Sequence, residues 1–354
     1  MKIIQVMPEF GLAGAETMCE NLTNALVKKG HKVMVVSLYN YYSPITERLE
    51  ANGVKIEYLG KKSGLDVSII KKLRKVFKRE VPDVIHTHLY LLKYCFLASY
   101  GMNVRLVHTV HNVAKEENNR LDRMINGYCF RHKKVTPVAL TDLVKESILD
   151  EYGLNAKDVP VVFNGIPLER CVKKLDYMLG ERIKILHIGR YSDAKNHPEL
   201  IKAVASLHQS YPNVELHLIG EGVLKDKVKE SIQQCNAGEY VYEHGTTSNP
   251  YKYLHESDIF VLPSKYEGMP MTLIEAMGTA LPIVASRVGG IPNMIEDNKE
   301  GLLCDPNADD IVRALTRLVE DADLRKNLGN AAFKSADRFS ADEMAKNYER
   351  VYKS

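Results

Sequence analysis

The sequence predicts an α/β protein made of two doubly wound domains in tandem, and three observations carry that prediction. The chain has 354 residues, more than one hydrophobic core comfortably serves, so two domains of about 170 residues are expected. Short runs rich in Val and Ile alternate with amphipathic stretches of helical period, the mark of a parallel sheet covered on both faces. The alternation then pauses at a polar, basic stretch, CVKKLDYMLGER at 171–182, and starts again. The expected domains are therefore 1–170 and 171–335. Residues 336–354 form a closing helix whose expected place is back against the first domain.

In the first half the expected strands are KIIQVM, KVMVVSL, VKIEYL, DVIHTH, RLVHTVH, KVTPVAL and VPVVFNG, with helices between most of them. The first helix shows why: Met18, Leu22 and Leu26 recur on one face, and Gly30 with His31 and Lys32 ends the run. In the second half the strands are KILHIG, VELHLIG, YVYEHG, DIFVLPS, LPIVASR and GLLCDP. Two such domains leave a cleft as the default ligand site.

Composition narrows the class. Apolar residues make up 45% and charged residues 26%, values of a folded globular protein rather than a disordered one. The N-terminal apolar run ends at Pro8 and Glu9, too soon for a signal peptide, and no window offers about 18 uninterrupted apolar residues, so a cytoplasmic chain without a membrane span is expected. The six cysteines lie far apart with no CxxC pair, which predicts reduced thiols rather than a disulfide framework or a zinc knuckle. Residues 1–170 hold 25 Lys/Arg against 18 Asp/Glu, net +7, while the remainder is net −4. The two halves thus present different surfaces.

The first βα turn, PEFGLAGAE, is not GxGxxG, and the second strand ends in SLYNYY, with no acid to hold a ribose. A dinucleotide site is not expected there. Ala13, Gly14 and Ala15 let backbone amides approach an anion at a helix start; a tight turn chosen for packing explains them equally well. The second domain opens with HIGRYSDAKNH, placing Arg190 and Lys195 just past its first strand, at the edge where open α/β sheets bind ligands. That pair suits a diphosphate.

The stretch EGMPMTLIEAM, 267–277, holds two carboxylates eight positions apart. Pro270 suits the first turn of a helix, so Glu267 lies in the preceding loop and Glu275 about 7 Å inside the helix. They do not share a helical face. They can grip separated parts of one long ligand whose anionic middle lies over the helix start, because a carboxylate accepts hydrogen bonds from vicinal hydroxyls. Sugar, diphosphate and ribose in a row describe a nucleotide-sugar. A glycosidase would need both carboxyls flanking one bond at about 5–10 Å and would leave Arg190 and Lys195 without work. Ordinary surface charge is the remaining alternative.

These residues carry a resemblance. The chain resembles the retaining glycosyltransferases of family 4, or glycosyl transferase group 1, which have the GT-B fold of two Rossmann-like domains facing across a cleft. The match rests on GAE at Gly14 to Glu16, HN at His111 and Asn112, NG at Asn164 and Gly165, and GR with Lys195 at Gly189 and Arg190. It continues through Glu267 and Glu275 with EAM, and VGG at 288–290. By resemblance, Arg190 and Lys195 neutralise the donor diphosphate, and Glu267 holds sugar hydroxyls, with Gly268, Met269, Pro270, Met271 and Thr272 helping. Glu275 takes the ribose, and Gly14 and Gly189 approach the donor. His111 lies beside the transferred sugar, and Glu16, His88 and Asn112 fall on the acceptor side. The family implies retention without a divalent metal or other cofactor. Its donor is a nucleotide-sugar, here expected to be a UDP-sugar, and its acceptor a saccharide or a lipid-diphosphate-linked saccharide. Departures from the family pattern are Ala13, Pro167, Ala280 and Asn293.

Two further features of the sequence bear on function. His86, His88, His108 and His111 end neighbouring strands; zinc is conceivable, but no cysteine or carboxylate clusters with them, and His108 is expected in the core. Residues 61–80 carry eight Lys/Arg and an apolar stripe of Ile69, Ile70, Leu73, Val76 and Phe77. That is either a sheet-covering helix with a solvated basic face or a platform for anionic membrane. No aromatic-interleaved basic groove suggests nucleic acid. The rival functions are a UDP-sugar epimerase of the same architecture and a non-catalytic nucleotide-sugar-binding protein.

Overall fold

The computed structural model describes residues 1–354 except Leu12, Leu65 and Asn118. Leu12 lies within the first βα turn and Leu65 within the basic 61–80 segment; both fall outside the described residues. The chain divides into two units, 1–166 together with 339–354, and 167–338.

The first unit is a six-stranded sheet of β1 Lys2–Met7, β2 Lys32–Ser37, β3 Lys55–Tyr58, β4 Val84–His88, β5 Arg105–Val110 and β6 Thr136–Ala139. The strands are parallel in the order β3-β2-β1-β4-β5-β6. Ile3 on β1 stands opposite both Val33 and Val84, so the central strands present near-continuous apolar runs to helices on both faces, as sequence periodicity predicts.

The expected seventh strand, VPVVFNG, does not form. Only an isolated bridge joins Ala139 to Val161, made by Ala139 N–H to Pro160 O and Val162 N–H to Ala139 O. Beyond it the chain turns away at Asn164–Gly165 to meet the closing segment: Ile166 N–H donates to Phe339 O, and Ala341 N–H returns to Ile166 O. Gly165 is required there, since a Cβ would fall 2.5 Å from the Ser340 carbonyl oxygen. The closing helix, Ala341–Lys353, starts at Ser340, whose hydroxyl accepts from Glu343 N–H. It buries Met344, Ala345, Tyr348, Val351 and Tyr352 in one cluster with Met18, Leu22 and Leu26. Those three residues come from the helix Gly14–Lys28.

The helix Ser68–Glu80 covers the other face. Ile69, Leu73, Val76 and Phe77 enter the core and Ile70 packs partly against it, so the apolar stripe is spent inside the unit. Of its cations, Lys72 holds Leu59 O, Arg74 holds Ala98 O and Tyr100 O, and Arg79 pairs with Glu57. Among the described residues no helix is long and apolar enough to cross a membrane.

The second unit repeats the plan with β7 Ile183–Ile188, β8 Val214–Ile219, β9 Val241–Glu243, β10 Ile259–Leu262, β11 Ile283–Ser286 and β12 Leu302–Cys304. The order is β12-β11-β10-β7-β8-β9, again parallel. Both sheets are Rossmann-like. The direction of winding reverses between β1 and β4 and between β7 and β10, and the crevice beyond the carboxyl ends of such a strand pair is where open α/β sheets receive ligands.

Candidate functional site

In the second unit, residues following β7 and β10 come together. Gly189 follows β7, and Arg190 after it is exposed with no ion pair among the described residues. Lys195 closes the short 3-10 turn Asp193–Lys195. Its Nζ lies 2.5 Å from Glu267 Oε1, and the Ser264 hydroxyl donates to the same carboxylate oxygen at 2.6 Å. The cation expected on the diphosphate and the acid expected on the sugar are thus one pair in this structure, 72 residues apart in the chain.

Three further residues hold this pair, and sequence reasoning missed the first two. Ser264 is the first; its spacing to Glu267 is that of an S-x-x-E box, which was the available signal. Asn196 is the second. It adopts a left-handed backbone, and its side-chain amide donates to Pro263 O at 3.1 Å and Pro306 O at 2.9 Å, tying the loop after β7 to those after β10 and β12. Gly289 is the third, at φ +54°. A Cβ there would stand 1.9 Å from Glu267 O, and the next residue, Gly290, donates its N–H to that same oxygen. The VGG motif therefore clamps the backbone of Glu267. Gly289→Ala is expected to displace Glu267 by about 1 Å and to lower kcat/KM about a hundred-fold. The lost fit and the left-handed backbone add about 1–2 kcal/mol of instability. Steady-state kinetics beside a thermal melt checks both.

Gly268, Met269 and Pro270 lead into the helix Met271–Gly278. Pro270 is extended, at φ −72° and ψ 119°, and serves as the N-cap, not as a first-turn residue, so Met271 and Thr272 form the first turn. The Thr272 hydroxyl is buried with no hydrogen-bond partner among the described residues. Glu275, the fifth residue of this helix, is 8% exposed. No hydrogen bond reaches its carboxyl among the described residues; burial pushes its pKa up to about 8, against a smaller opposing pull from Arg170.

In the first unit, Gly14 opens the helix Gly14–Lys28 with open space where a Cβ would lie, and Glu16 sits in its first turn. His111 and Asn112 follow β5. His111 Nε2 lies 3.0 Å from His88 Nδ1, and His88 Nε2 lies 2.9 Å from Gln5 Oε1. With the Gln5 oxygen accepting from His88 Nε2–H, His88 Nδ1 is an acceptor and must take the proton on His111 Nε2; the tautomers are assigned from this pattern. His111 Nδ1 is then left with a lone pair. Burial lowers the pKa of His88 and of His111, the latter to about 4, so this imidazole is a neutral acceptor.

His88 is fully buried and bonded at both nitrogens, so its part is to hold His111, not to meet an acceptor. The Asn112 side chain accepts from Val113 N–H. Glu117, which the sequence reading passed over, accepts from the N–H groups of both His111 and Asn112 at 2.6 and 2.9 Å, and burial raises its pKa to about 8. His86 bonds Tyr352 and Thr109, and His108 bonds Thr87 in the core. Among the described residues no three His, Cys, Asp or Glu side chains are grouped to hold a metal ion.

Comparison with known proteins places this architecture. The profile of glycosyl transferases group 1 matches residues 178–335 and that of glycosyltransferase family 4 matches residues 12–170. The chain belongs to this family of GT-B glycosyltransferases. It is 27% identical over 353 residues to an O-antigen biosynthesis glycosyltransferase, WbnH, of Escherichia coli, covering 97% of this chain and 95% of that one. It is 31% identical over 205 residues to a Campylobacter jejuni enzyme, N-acetylgalactosamine-N,N'-diacetylbacillosaminyl-diphospho-undecaprenol 4-alpha-N-acetylgalactosaminyltransferase, covering 57% of this chain and 55% of that one. The fold matches Anabaena HepE, solved in complex with UDP and glucose, at a TM-score of 0.85 and 17% identity over all of both chains. These relatives do not favour an epimerase.

Proposed function

We propose that the protein transfers a hexosyl or N-acetylhexosaminyl group from a UDP-sugar to a saccharide or lipid-diphosphate-linked saccharide, with retention and without a divalent metal, in the synthesis of a surface polysaccharide or glycoconjugate. The observation that carries the reading is the set of groups at one strand edge of the second unit. Arg190, with no ion pair among the described residues, the Lys195–Glu267 pair and a helix start all lie there, with Glu275 buried one turn further in. Arg190, Lys195 and the N–H groups of Met271 and Thr272 neutralise the leaving diphosphate. Glu267 accepts from sugar hydroxyls and Glu275 from the ribose. His111 offers a neutral acceptor to the transferred sugar; Glu16 and Asn112 serve the acceptor. Retention follows from attack on the donor face that the diphosphate leaves, whose oxygen takes the acceptor proton, so no protein nucleophile is called for. The relatives' names support a glycan acceptor, in one case carried on diphospho-undecaprenol.

A thermal-shift panel of UDP-, GDP- and ADP-sugars tests the donor. A ligand at a hundred times its Kd stabilises the native state by about 2.7 kcal/mol, and the largest rise is expected with a UDP-sugar, unchanged by EDTA. The anomeric configuration of the product, read by NMR, tests retention. No shift with any UDP-sugar, or an inverted product, overturns the reading.

A further inference from the structure

One helix of the first unit also carries apolar residues on its outer face. The helix Arg120–Arg131 buries Asp122, Asn126, Cys129 and Phe130, yet Leu121, Met124 and Tyr128 are 64%, 65% and 51% exposed. Their spacing places them in one stripe on the outer face. A solvated helix would carry polar residues there. The stripe is flanked by cations: Arg120, Arg123 and Arg131 line an open pocket of about 260 Å³ together with Met124, Glu151 and Tyr152. Arg123 pairs with Glu151 at 3.4 Å and Arg131 donates to Tyr152 O, while Arg120 has no partner among the described residues. Exposed Lys133 and Lys134 continue the basic edge. The helix's one acid, Asp122, is buried against Lys93. On the neighbouring helix Leu92–Ala98 and its following turn, Leu97 and Tyr100 are also exposed.

We propose that this face docks on an anionic phospholipid bilayer, with Leu121, Met124 and Tyr128 entering the headgroup boundary and the Arg120–Arg123–Arg131 pocket receiving lipid phosphate. The occupant follows from the pairing of the two features. An apolar stripe alone would suit a protein partner and an arginine cluster alone any anion, but side chains that must leave water, ringed by cations, match an interface whose surface is negative and whose interior is hydrocarbon. The basic helix Ser68–Glu80 lacks the first feature, because its stripe is in the core. The inference rests on the proposed lipid-linked acceptor for its purpose, but not for its test.

The full-length protein is floated with vesicles of phosphatidylcholine alone and of phosphatidylcholine with about one third phosphatidylglycerol, with no donor or acceptor present. Binding is expected only to the anionic vesicles and to fall about ten-fold in the triple variant Arg120→Ala/Leu121→Ser/Met124→Ser. That variant keeps its melting temperature and its turnover of a water-soluble acceptor. The variant Lys71→Ala/Lys75→Ala/Lys78→Ala, altering exposed lysines of the other helix, loses less than two-fold. Equal binding to neutral vesicles, a larger loss in the lysine variant, or unchanged flotation of the triple variant overturns the proposal. So does a shift from dimer to monomer in the triple variant without loss of vesicle binding, which would make the face a contact between copies. Failure of the transferase reading would show instead in the donor panel, leaving flotation untouched.

Discussion

Lys195→Ala is expected to lower kcat by about a hundred- to a thousand-fold while the nucleotide still binds. The ammonium group lies 2.5 Å from Glu267 Oε1, and both side chains are largely buried, 19% and 11% exposed. The pair therefore sits where water screens it poorly. In the free protein each partner holds the other. As the sugar–phosphate bond breaks, charge grows on the departing diphosphate, and an ammonium already fixed there gains interaction in the transition state beyond what it had with bound donor. That differential appears in kcat. Glu267→Ala removes the other half: the sugar hydroxyls lose their acceptor and Lys195 loses its anchor.

Because the two act as one unit, the double variant should cost little more than either single change, a coupling that a double-mutant cycle reads directly. Lys265→Ala is the comparison that gives the result meaning. Lys265 reaches Asp193 at 2.7 Å on the same rim, but both are exposed, and such a pair contributes at most about 1 kcal/mol to stability and nothing to the reaction. Wild-type turnover in Lys195→Ala, or strict additivity with Glu267→Ala, would remove the pair from the mechanism.

That coupling is also where the sequence stopped being informative. The strands were legible because a buried parallel strand must be apolar throughout, and twelve of the expected runs contain the observed strands to within a residue or two. The thirteenth, VPVVFNG, has the same composition but meets the returning chain at Phe339 and Ser340 instead of a sheet edge, a choice made by tertiary contact rather than local propensity. Gly165 was legible as part of a motif, yet its physical reason, room for the Ser340 carbonyl oxygen, required the fold. In the same way Lys195 and Glu267 were each readable by type and position, while their ion pair, the Ser264 hydroxyl beneath it and the Gly289 clamp depend on loops brought together from four places in the chain. The resemblance put His88 on the acceptor side; its burial and its two hydrogen bonds make it a support for His111.

Glu275→Gln is expected to weaken nucleotide binding about a hundred-fold and to abolish its pH dependence. Burial pushes the wild-type carboxyl up from its ordinary 4.5 to about 8. A group so raised contributes stability that is fully present below about 4.5 and is lost as pH rises through about 8, so the unliganded protein should melt lower at the alkaline end of that window. Glu117 contributes with the same sign, and only the difference between wild type and Glu275→Gln isolates Glu275.

Ligand binding reverses the preference. Two ribose hydroxyls donating to one carboxyl favour its ionised form, and hydrogen bonds to a charged group are worth about 1.5–3 kcal/mol each. Affinity for UDP should therefore rise with pH up to about 8, and near neutrality binding should release close to one proton. Calorimetry in two buffers of different ionisation enthalpy counts that proton. The glutamine variant keeps the shape and can accept one hydrogen bond but cannot ionise, so its affinity should be flat across the same window and its unliganded form more stable than wild type at the alkaline end. A wild-type affinity that does not change with pH, or proton release that survives in Glu275→Gln, would show that the ribose is held elsewhere.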